Sequence, residues 1–297
     1  MKLDEFLRLN APEELSSLTS ALAGASIRVW ENIPTKSGML AGVNPSGERQ
    51  KAIDVYSNDE YAEALLSTGM AGEVASEEME EATRGKGKVS VAMDPLDGSS
   101  NVDTNNPLGS IFGFYDAPLP CSGRKLSGAL YVTYGNMITM TLSFGKGVHR
   151  FVAVKDGPEL GFVLMGIDLK LPPVPEVYGF GGSRKEWPAK VGSFVDSLEH
   201  RGLRVRYCGT FVGDYNQVLS RGGIFSYPAL LKKPKGKLRL LYETAPMAYV
   251  NEQAGGYASD GDRNILDIVP EGLADTSPLY IGNSSIVREA EGLLRTG

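Results

Sequence analysis

The chain has 297 residues, which suits one large domain or two of ordinary size, with ample capacity for a buried core. Thirty-six acidic residues outnumber 30 Lys and Arg, and the net charge of −6 argues against nucleic acid as the main partner. Two isolated cysteines, the lack of an apolar run of about 18 residues and the lack of a signal-peptide core lead us to expect a cytoplasmic protein without a membrane partner.

The first elements are helical. A helix is predicted to begin at Pro12, because proline is favoured in a first turn and leucines follow at steps of three and four. We expect it to stop before Pro34. A second helix is predicted at about residues 48–66. A strand at residues 73–76 then leads directly to a pair of glutamates.

The sequence Asp-Pro-Leu-Asp-Gly-Ser-Ser at residues 94–100, here called the acidic turn, follows a predicted strand at residues 89–93. Pro95 withholds a backbone donor and forces a turn, so Asp94 and Asp97 can face one spot. Carboxylates and backbone carbonyls suit Mg²⁺, and the Gly-Ser-Ser part offers N–H and hydroxyl groups to an anion. The acidic turn therefore predicts a metal and phosphate site, although Asp-Pro and Asp-Gly are also common in plain surface turns.

Short strands separated by glycine-containing turns come next. They are predicted at residues 108–115, 126–134, 136–144, 147–154 and 160–165. Their spacing of about ten residues indicates an antiparallel meander. Three prolines within residues 171–175 make a stiff linker, so we predict a domain boundary there. The N-terminal domain, residues 1–172, would carry the acidic turn and the meander, and the C-terminal domain would be residues 173–297.

Strands and helices alternate in the C-terminal part, which indicates an α/β layout. The predicted strands lie near residue 177 and at residues 203–208, 223–227 and 237–242. The predicted helices end at residue 202, cover residues 212–219 and 246–254, and begin near residue 285.

Carboxylates are the main candidates for acid–base chemistry, since the chain has only two histidines and neither neighbours a nucleophile or ligand pattern. Glu77 and Glu78 form a second acidic pair, directly after a predicted strand. Glu48 and Asp54 share one face of the second predicted helix. Glu243 closes an apolar strand. For each of these acids the alternative is a plain solvent-exposed position on the surface. That alternative is least convincing for Glu243, because this acid directly follows a buried strand.

Cations and phenols cluster at predicted strand ends of the C-terminal part: Arg206, Tyr207, Tyr227, Lys237 and Arg239. Each could be an ordinary surface residue. Together they could form an anion pocket, with arginine binding phosphate oxygens in pairs and tyrosine donating hydrogen bonds. Acids at one sheet end and cations at another suggest a substrate with more than one phosphate.

Several motifs, in order, resemble those of the class I fructose-1,6-bisphosphatase family. They are Asp94-Pro-Leu-Asp-Gly-Ser-Ser-Asn101, Ala75-Ser-Glu-Glu78, Gly47-Glu-Arg-Gln-Lys-Ala-Ile-Asp54, Gly223-Ile-Phe-Ser-Tyr-Pro228, Gly236-Lys-Leu-Arg-Leu-Leu-Tyr-Glu243 and Pro246-Met-Ala-Tyr-Val250. The resemblance implies an α/β/α/β/α sandwich, with an antiparallel or mixed sheet in the N-terminal part and a mixed sheet in the C-terminal part. It also implies a homotetramer that hydrolyses fructose 1,6-bisphosphate to fructose 6-phosphate, in gluconeogenesis or carbon fixation, with two or more Mg²⁺ or Mn²⁺ per subunit.

The resemblance also assigns roles. The implied metal ligands are Glu77, Asp94, the Leu96 carbonyl, Asp97 and Glu243. Glu78 and Asp54 would orient and deprotonate the attacking water, and Glu48 stands where the family usually has aspartate. The implied substrate contacts are Asp97, Gly98, Ser99, Ser100, Asn101, Arg184, Arg206, Tyr207, Tyr227, Lys237 and Arg239. Among them, the Gly-Ser-Ser turn would hold the 1-phosphate, and the arginine at 206 would reach a 6-phosphate across a subunit interface.

Departures from the family pattern leave alternatives open. Residues 102–105, 213–217 and 256–261 are closer to sedoheptulose-1,7-bisphosphatase, whereas Tyr227 favours the fructose enzyme. Arg184 stands where the family has a tyrosine segment, and the family's AMP-binding Lys-Tyr pair is Lys88-Val89 here, so AMP regulation is not expected. An inositol-phosphatase-like phosphomonoesterase would share Asp-Pro-x-Asp-Gly but would not need the cations and phenols of the C-terminal part.

Overall fold

The computed structural model describes residues 1–37, 40–44 and 49–295, and the predicted site residue Glu48 lies outside these ranges. Two short strands, β1 (Leu40–Val43) and β2 (Arg49–Lys51), pair with each other. An eight-stranded sheet follows, with strands β3 (Ala71–Ser76), β4 (Thr83–Arg84), β5 (Val89–Asp97), β6 (Leu108–Tyr115), β7 (Leu126–Tyr134), β8 (Ile138–Ser143), β9 (His149–Asp156) and β10 (Glu159–Gly166). Its order is β10-β9-β8-β7-β6-β5-β3-β4, and every pair is antiparallel except the parallel pair β3 and β5.

The C-terminal part contains a second, mixed sheet of five strands. Its strands are β11 (Val177–Phe180), β12 (Arg204–Val205), β13 (Gly223–Tyr227), β15 (Gly256–Ser259) and β17 (Leu279–Asn283), and two further strands, β14 (Leu238–Arg239) and β16 (Thr276–Ser277), pair separately. The order in the sheet is β12-β11-β13-β17-β15. Strand β11 runs parallel to β12 and β13, whereas β17 is antiparallel to both of its neighbours.

Helices form three layers around the two sheets. They are α1 (Leu3–Asn10), α2 (Glu13–Lys36), α3 (Ala52–Ser67), α4 (Ala189–His200), α5 (Phe211–Arg221), α6 (Ala245–Gln253) and α7 (Ser284–Arg295). Helices α1 to α3 pack on the outer face of the eight-stranded sheet, α5 and α6 lie between the sheets, and α4 and α7 cover the outer face of the five-stranded sheet. The predicted α/β/α/β/α sandwich is therefore confirmed.

Strand alternation distributes apolar side chains to separate cores. Along β6, Phe112 packs with helices α2 and α3, while its neighbour Ile111 points into the core between the sheets. A third core around Phe180 and Phe194 joins the five-stranded sheet to α4 and α7. Among the described residues, no helix is both long enough and apolar enough to span a bilayer.

Three predicted elements differ from the structure. Helix α2 continues through Pro34, which lies in its last turn. Proline has no N–H for the backbone carbonyl four residues earlier, and because Pro34 is exposed, water can hydrate that carbonyl instead. The strand expected at residues 237–242 ends at Arg239, and residues 240–244 form a π-helical turn. The strand expected at 203–208 has only two residues, and the helix α1 was not predicted.

Candidate active site

An irregularity in the eight-stranded sheet brings two aspartates to the same face. In a regular strand, residues three apart point to opposite faces. Here Asp94 pairs with Ile111 and Asp97 pairs with Gly109, so three steps along β5 oppose two steps along β6. The extra residue makes a β-bulge at residues 95–96. Both carboxylates are buried and approach one point as a result.

The amino end of α5 holds the Asp97 carboxylate. This carboxylate accepts hydrogen bonds from the Thr210 hydroxyl at 2.7 Å and from the N–H groups of Phe211 and Val212 at 3.1 and 2.7 Å. Such N–H groups have no partner within their own helix and lie at its positive end, so they favour a negative charge. Helix α5 thus attaches the acidic turn to the C-terminal part of the chain.

Glu243 reaches the same point from the π-helical turn. Its carboxylate accepts a hydrogen bond from the Arg239 N–H at 2.6 Å, which orients the side chain. Carboxylate oxygens of Asp94, Asp97 and Glu243 lie within 4.8 Å of one another, and all three residues are buried. These three residues are called the carboxylate cluster below.

Burial raises the pKa of every member of the carboxylate cluster. For Asp94 and Glu243 the pKa lies well above its usual value, first because each is buried and next because Glu77 is near. The pKa of Asp97 is also raised by burial, and the hydrogen bonds from α5 and Thr210 oppose that rise. Crowded acids of this kind favour a divalent cation, which would neutralise them and offers the all-oxygen coordination that their chemistry supplies.

Three further carboxylates border the cluster. Strand β3 runs parallel to β5, so their carboxyl ends lie at the same end of the sheet. Glu77 and Glu78, which follow β3, therefore lie near the acidic turn. The Glu78 carboxylate accepts a hydrogen bond from the Gln50 amide at 2.6 Å. Asp54, in the first turn of α3, is buried and accepts a hydrogen bond from the Lys51 N–H at 2.6 Å.

One cavity of about 290 Å³ joins these acids to groups from the C-terminal part. The predicted site residues in its wall are Asp54, Glu77, Glu78, Asp94, Leu96, Asp97, Gly98, Ser99, Ser100, Tyr207, Tyr227, Lys237, Arg239 and Glu243. The Lys237 ammonium lies 5.9 Å from the centre of the Tyr227 ring. Negative and positive groups therefore line a single cavity, as a substrate with two phosphates would require.

The turn that follows Asp97 depends on a glycine. Gly98 has φ +76°, a left-handed conformation that side chains disfavour, and a Cβ there would lie 2.6 Å from the Thr210 Cβ. A 3₁₀ helix, Ser99–Thr104, begins directly after it. The Lys51 ammonium donates hydrogen bonds to the Ser99 carbonyl at 3.2 Å and to the Asp103 carboxylate at 2.8 Å, which fixes the start of that helix.

Four predicted site residues are not among those lining the cavity. Glu48 lies outside the described residues. Asn101 is buried, and its amide donates to two backbone carbonyls at 3.0 and 2.9 Å. Arg184 is exposed and pairs with Asp196, and Arg206 is exposed and donates to a neighbouring backbone carbonyl. Their part in substrate binding stays a prediction.

Asp214 and Thr210 are two of the cavity residues that were missed from the sequence. Asp214 accepts hydrogen bonds from the N–H groups of Cys208 and Gly209 at 2.6 and 3.2 Å, and burial raises its pKa to about 6. Thr210 caps α5 by accepting a hydrogen bond from the Gly213 N–H. A threonine directly before a helical pattern is a recognisable cap, so Thr210 could have been found. Asp214 could not, because its direction depends on the loop before it.

Comparisons with known proteins show the family to which the sequence is similar. The family model described as "Fructose-1-6-bisphosphatase, N-terminal domain" matches residues 3–164, and "Fructose-1-6-bisphosphatase, C-terminal domain" matches residues 171–295. The chain is 44% identical over 257 residues to the class 1 fructose-1,6-bisphosphatase of Natronomonas pharaonis, covering 86% of this chain and 89% of that protein. It is 42% identical over 292 residues to the class 1 protein of Pelobacter propionicus, covering 96% and 90%.

A solved structure is similar over nearly the full length. It is the crystal structure of Leishmania major fructose-1,6-bisphosphatase in holo form, with a TM-score of 0.93 and 30% sequence identity. The match covers 99% of this chain and 98% of that chain. Sequence and fold therefore point to the same group of proteins.

Proposed function

The chain belongs to the fructose-1,6-bisphosphatase family, and we propose that the cavity described above is where it hydrolyses the 1-phosphate of fructose 1,6-bisphosphate. It is a phosphoric monoester hydrolase. The observation that carries the assignment of the site is the carboxylate cluster, which lines one cavity together with Lys237. Acids alone would repel a bisphosphate, whereas acids that hold cations beside a lysine would attract it.

The donor set fits Mg²⁺, with Mn²⁺ as a possible substitute. Glu77, Asp94, the Leu96 carbonyl, Asp97 and Glu243 would hold two or more ions, since hard cations prefer carboxylate and carbonyl oxygens. The crowding that raises the pKa of Asp94 and Glu243 supports this assignment, because a bound cation would relieve it. Divalent cations bound there would polarise the phosphoryl oxygens and lower the pKa of a water molecule.

The chain's own groups would position that water and accept its proton. Glu78 lines the cavity beside Glu77, and the hydrogen bond from Gln50 orients its carboxylate. Asp54, at the start of α3, is buried and lines the same cavity. We assign Glu78 as the proton acceptor and Asp54 as the group that keeps the water in place. Glu48 is proposed to assist them.

The phosphate and sugar would be bound by two sets of residues in the cavity wall. Gly98, Ser99 and Ser100 offer N–H and hydroxyl donors next to Asp97, and they would hold the phosphate that is cleaved. Tyr207, Tyr227, Lys237 and Arg239 also line the cavity and would bind the sugar and its second phosphate. Hydrolysis in this arrangement needs positioning and charge neutralisation, and it needs no covalent intermediate.

We also propose a cytoplasmic homotetramer in which Arg206 of one subunit completes the 6-phosphate site of its neighbour. The exposed position of Arg206, outside the cavity of its own chain, supports this proposal. The substitution Arg206→Ala should then raise KM for the bisphosphate. If the variant forms an oligomer of the same mass and its KM is unchanged, Arg206 is not part of the phosphate site.

One assay tests the function directly. Release of inorganic phosphate is measured from fructose 1,6-bisphosphate, sedoheptulose 1,7-bisphosphate and an inositol monophosphate, each with Mg²⁺ and with a chelator. We expect Mg²⁺-dependent turnover of fructose 1,6-bisphosphate with the highest kcat/KM. Faster turnover of the seven-carbon substrate would reassign the sugar, and equal turnover of the monophosphate would show that the second phosphate is not recognised.

A further inference from the structure

Four buried hydroxyl groups lie behind the acidic turn, on the side away from the cavity. They belong to Ser26 on α2, Tyr61 on α3, Ser110 on β6 and Tyr134 on β7, and at most 4% of any of these residues is exposed. The Tyr61 hydroxyl is hydrogen-bonded to the other three, at 3.3 Å to Ser26, at 3.2 Å to Ser110 and closely to Tyr134. This hydroxyl cluster joins two helices to two strands of the eight-stranded sheet.

Each proton of the hydroxyl cluster can be assigned to an acceptor. Ser26 donates to a carbonyl of its own helix at 2.7 Å, and Ser110 donates to the Pro95 carbonyl at 2.8 Å. Tyr61 can then donate to Ser26, and Tyr134 can donate to Tyr61 or Ser110. Since each serine uses its single proton outside the cluster, the tyrosine hydroxyls fix the orientation in which Ser110 donates.

The bond from Ser110 is placed where the strand ladder is interrupted. Asp94 and Asp97 pair with the residues on either side of Ser110, and the bulge at residues 95–96 lies between them. The Pro95 carbonyl is buried there, and a buried carbonyl needs a hydrogen-bond donor. The Ser110 hydroxyl supplies it in place of a regular ladder bond.

We propose that Ser110 is a positioning residue for metal binding: by holding the Pro95 carbonyl it fixes the bulge that turns Asp94 and Asp97 toward one point. The bulge is what places the two carboxylates on one face, so a donor that fixes its backbone sets their separation. This inference rests on the proposed metal-dependent function of the cavity. It assigns no contact between Ser110 and the substrate.

The test compares Mg²⁺ binding to the full chain without substrate, by titration calorimetry, with urea unfolding measured in parallel. Removal of the hydroxyl in Ser110→Ala should raise Kd for Mg²⁺ by about tenfold or more, as for other groups that orient ligands. The matched control is Ser226→Ala, because Ser226 is a buried strand serine that donates to the Leu279 carbonyl at 2.7 Å in the other sheet. Its Kd should stay within about twofold of the unsubstituted protein's value. Ser110→Thr keeps the hydroxyl and should bind Mg²⁺ more tightly than Ser110→Ala.

The outcomes separate this proposal from the function on which it rests. A folded Ser110→Ala variant with the Kd of the unsubstituted protein would overturn the positioning role alone. Failure of the unsubstituted protein to bind Mg²⁺ would instead overturn the proposed metal site. If Ser110→Ala does not fold, Tyr134→Phe decides, since it removes a group that orients Ser110. It must then raise Kd more than Ser226→Ala does, and an equal Kd would overturn the proposal.

Discussion

The Thr210 hydroxyl donates a 2.7 Å hydrogen bond to the Asp97 carboxylate, although 113 residues separate the two in the chain. Both residues are buried. Together with the N–H groups of α5, this bond holds a negatively charged side chain between the two parts of the chain. Asp97 therefore has two tasks, to hold α5 in place and to face the carboxylate cluster.

The substitution Asp97→Asn should abolish most activity while the protein still folds. The amide oxygen can keep the hydrogen bonds from Thr210 and Val212, whereas the bond from the Phe211 N–H and the charge that a divalent cation requires are lost. We expect kcat to fall by about 10³-fold, as when a main electrostatic group of an active site is removed. Phosphate release and circular dichroism measure the two effects. Asp116→Asn, at an exposed acid beyond β6, is the control, and near-normal turnover by Asp97→Asn would contradict the assignment.

Divalent cations should stabilise the fold. The carboxylate cluster is buried and repulsive, and a cation that binds there would stabilise the folded state. A free Mg²⁺ concentration of 100 times its Kd should add about 2.7 kcal/mol to the free energy of unfolding. Urea unfolding is measured in Mg²⁺ and in chelator with NaCl at matched ionic strength. The double variant Asp94→Asn, Glu243→Gln removes two of the charges that would hold the ion, so Mg²⁺ should stabilise it much less. An equal response in both proteins would place the ion elsewhere.

The substitution Lys237→Met should weaken substrate binding rather than the chemical step. Lys237 lines the cavity, and a lost hydrogen bond from a charged group typically costs about 1.5–3 kcal/mol. We expect KM for fructose 1,6-bisphosphate to rise by about tenfold or more, with a smaller change in kcat. Lys235→Met is the matched control, because this exposed lysine is two residues away. A KM that rises equally in both variants would indicate a general effect of surface charge.

Asp214 should make the stability of the metal-free protein depend on pH. Its pKa in the folded state is about 6, above the roughly 3.9 of an unfolded chain, so the folded protein binds the proton more tightly. The resulting stabilisation is fully present below about pH 3.9 and is lost as the pH rises through 6. Relative to Asp214→Asn, the unsubstituted protein should be more stable at pH 5 than at pH 7 by about 1 kcal/mol. Urea unfolding in chelator checks this, and a pH-independent difference would contradict it.

Most of the fold could be predicted because its elements carry local patterns. The meander strands follow from apolar runs separated by glycine turns, and the five layers follow from the family motifs. The segment from 237 to 242 could not be predicted. Its run of apolar residues is typical of a strand, but the hydrogen bond between Glu243 and the Arg239 N–H bends it into a π-helical turn.

The sequence by itself determined which residue types are available for chemistry and the segments that carry them. Acids at strand ends, the Gly-Ser-Ser turn and the cations near residues 206–239 are all visible in the order of the residues. Tertiary structure alone decided their distances, because the β-bulge in β5 and the amino end of α5 set the directions of Asp94 and Asp97. Whether the two aspartates share a face depends on a register shift against another strand, and local sequence does not encode that shift. The buried hydroxyl cluster behind the acidic turn has the same origin, since four separate elements must pack before its hydrogen bonds can form.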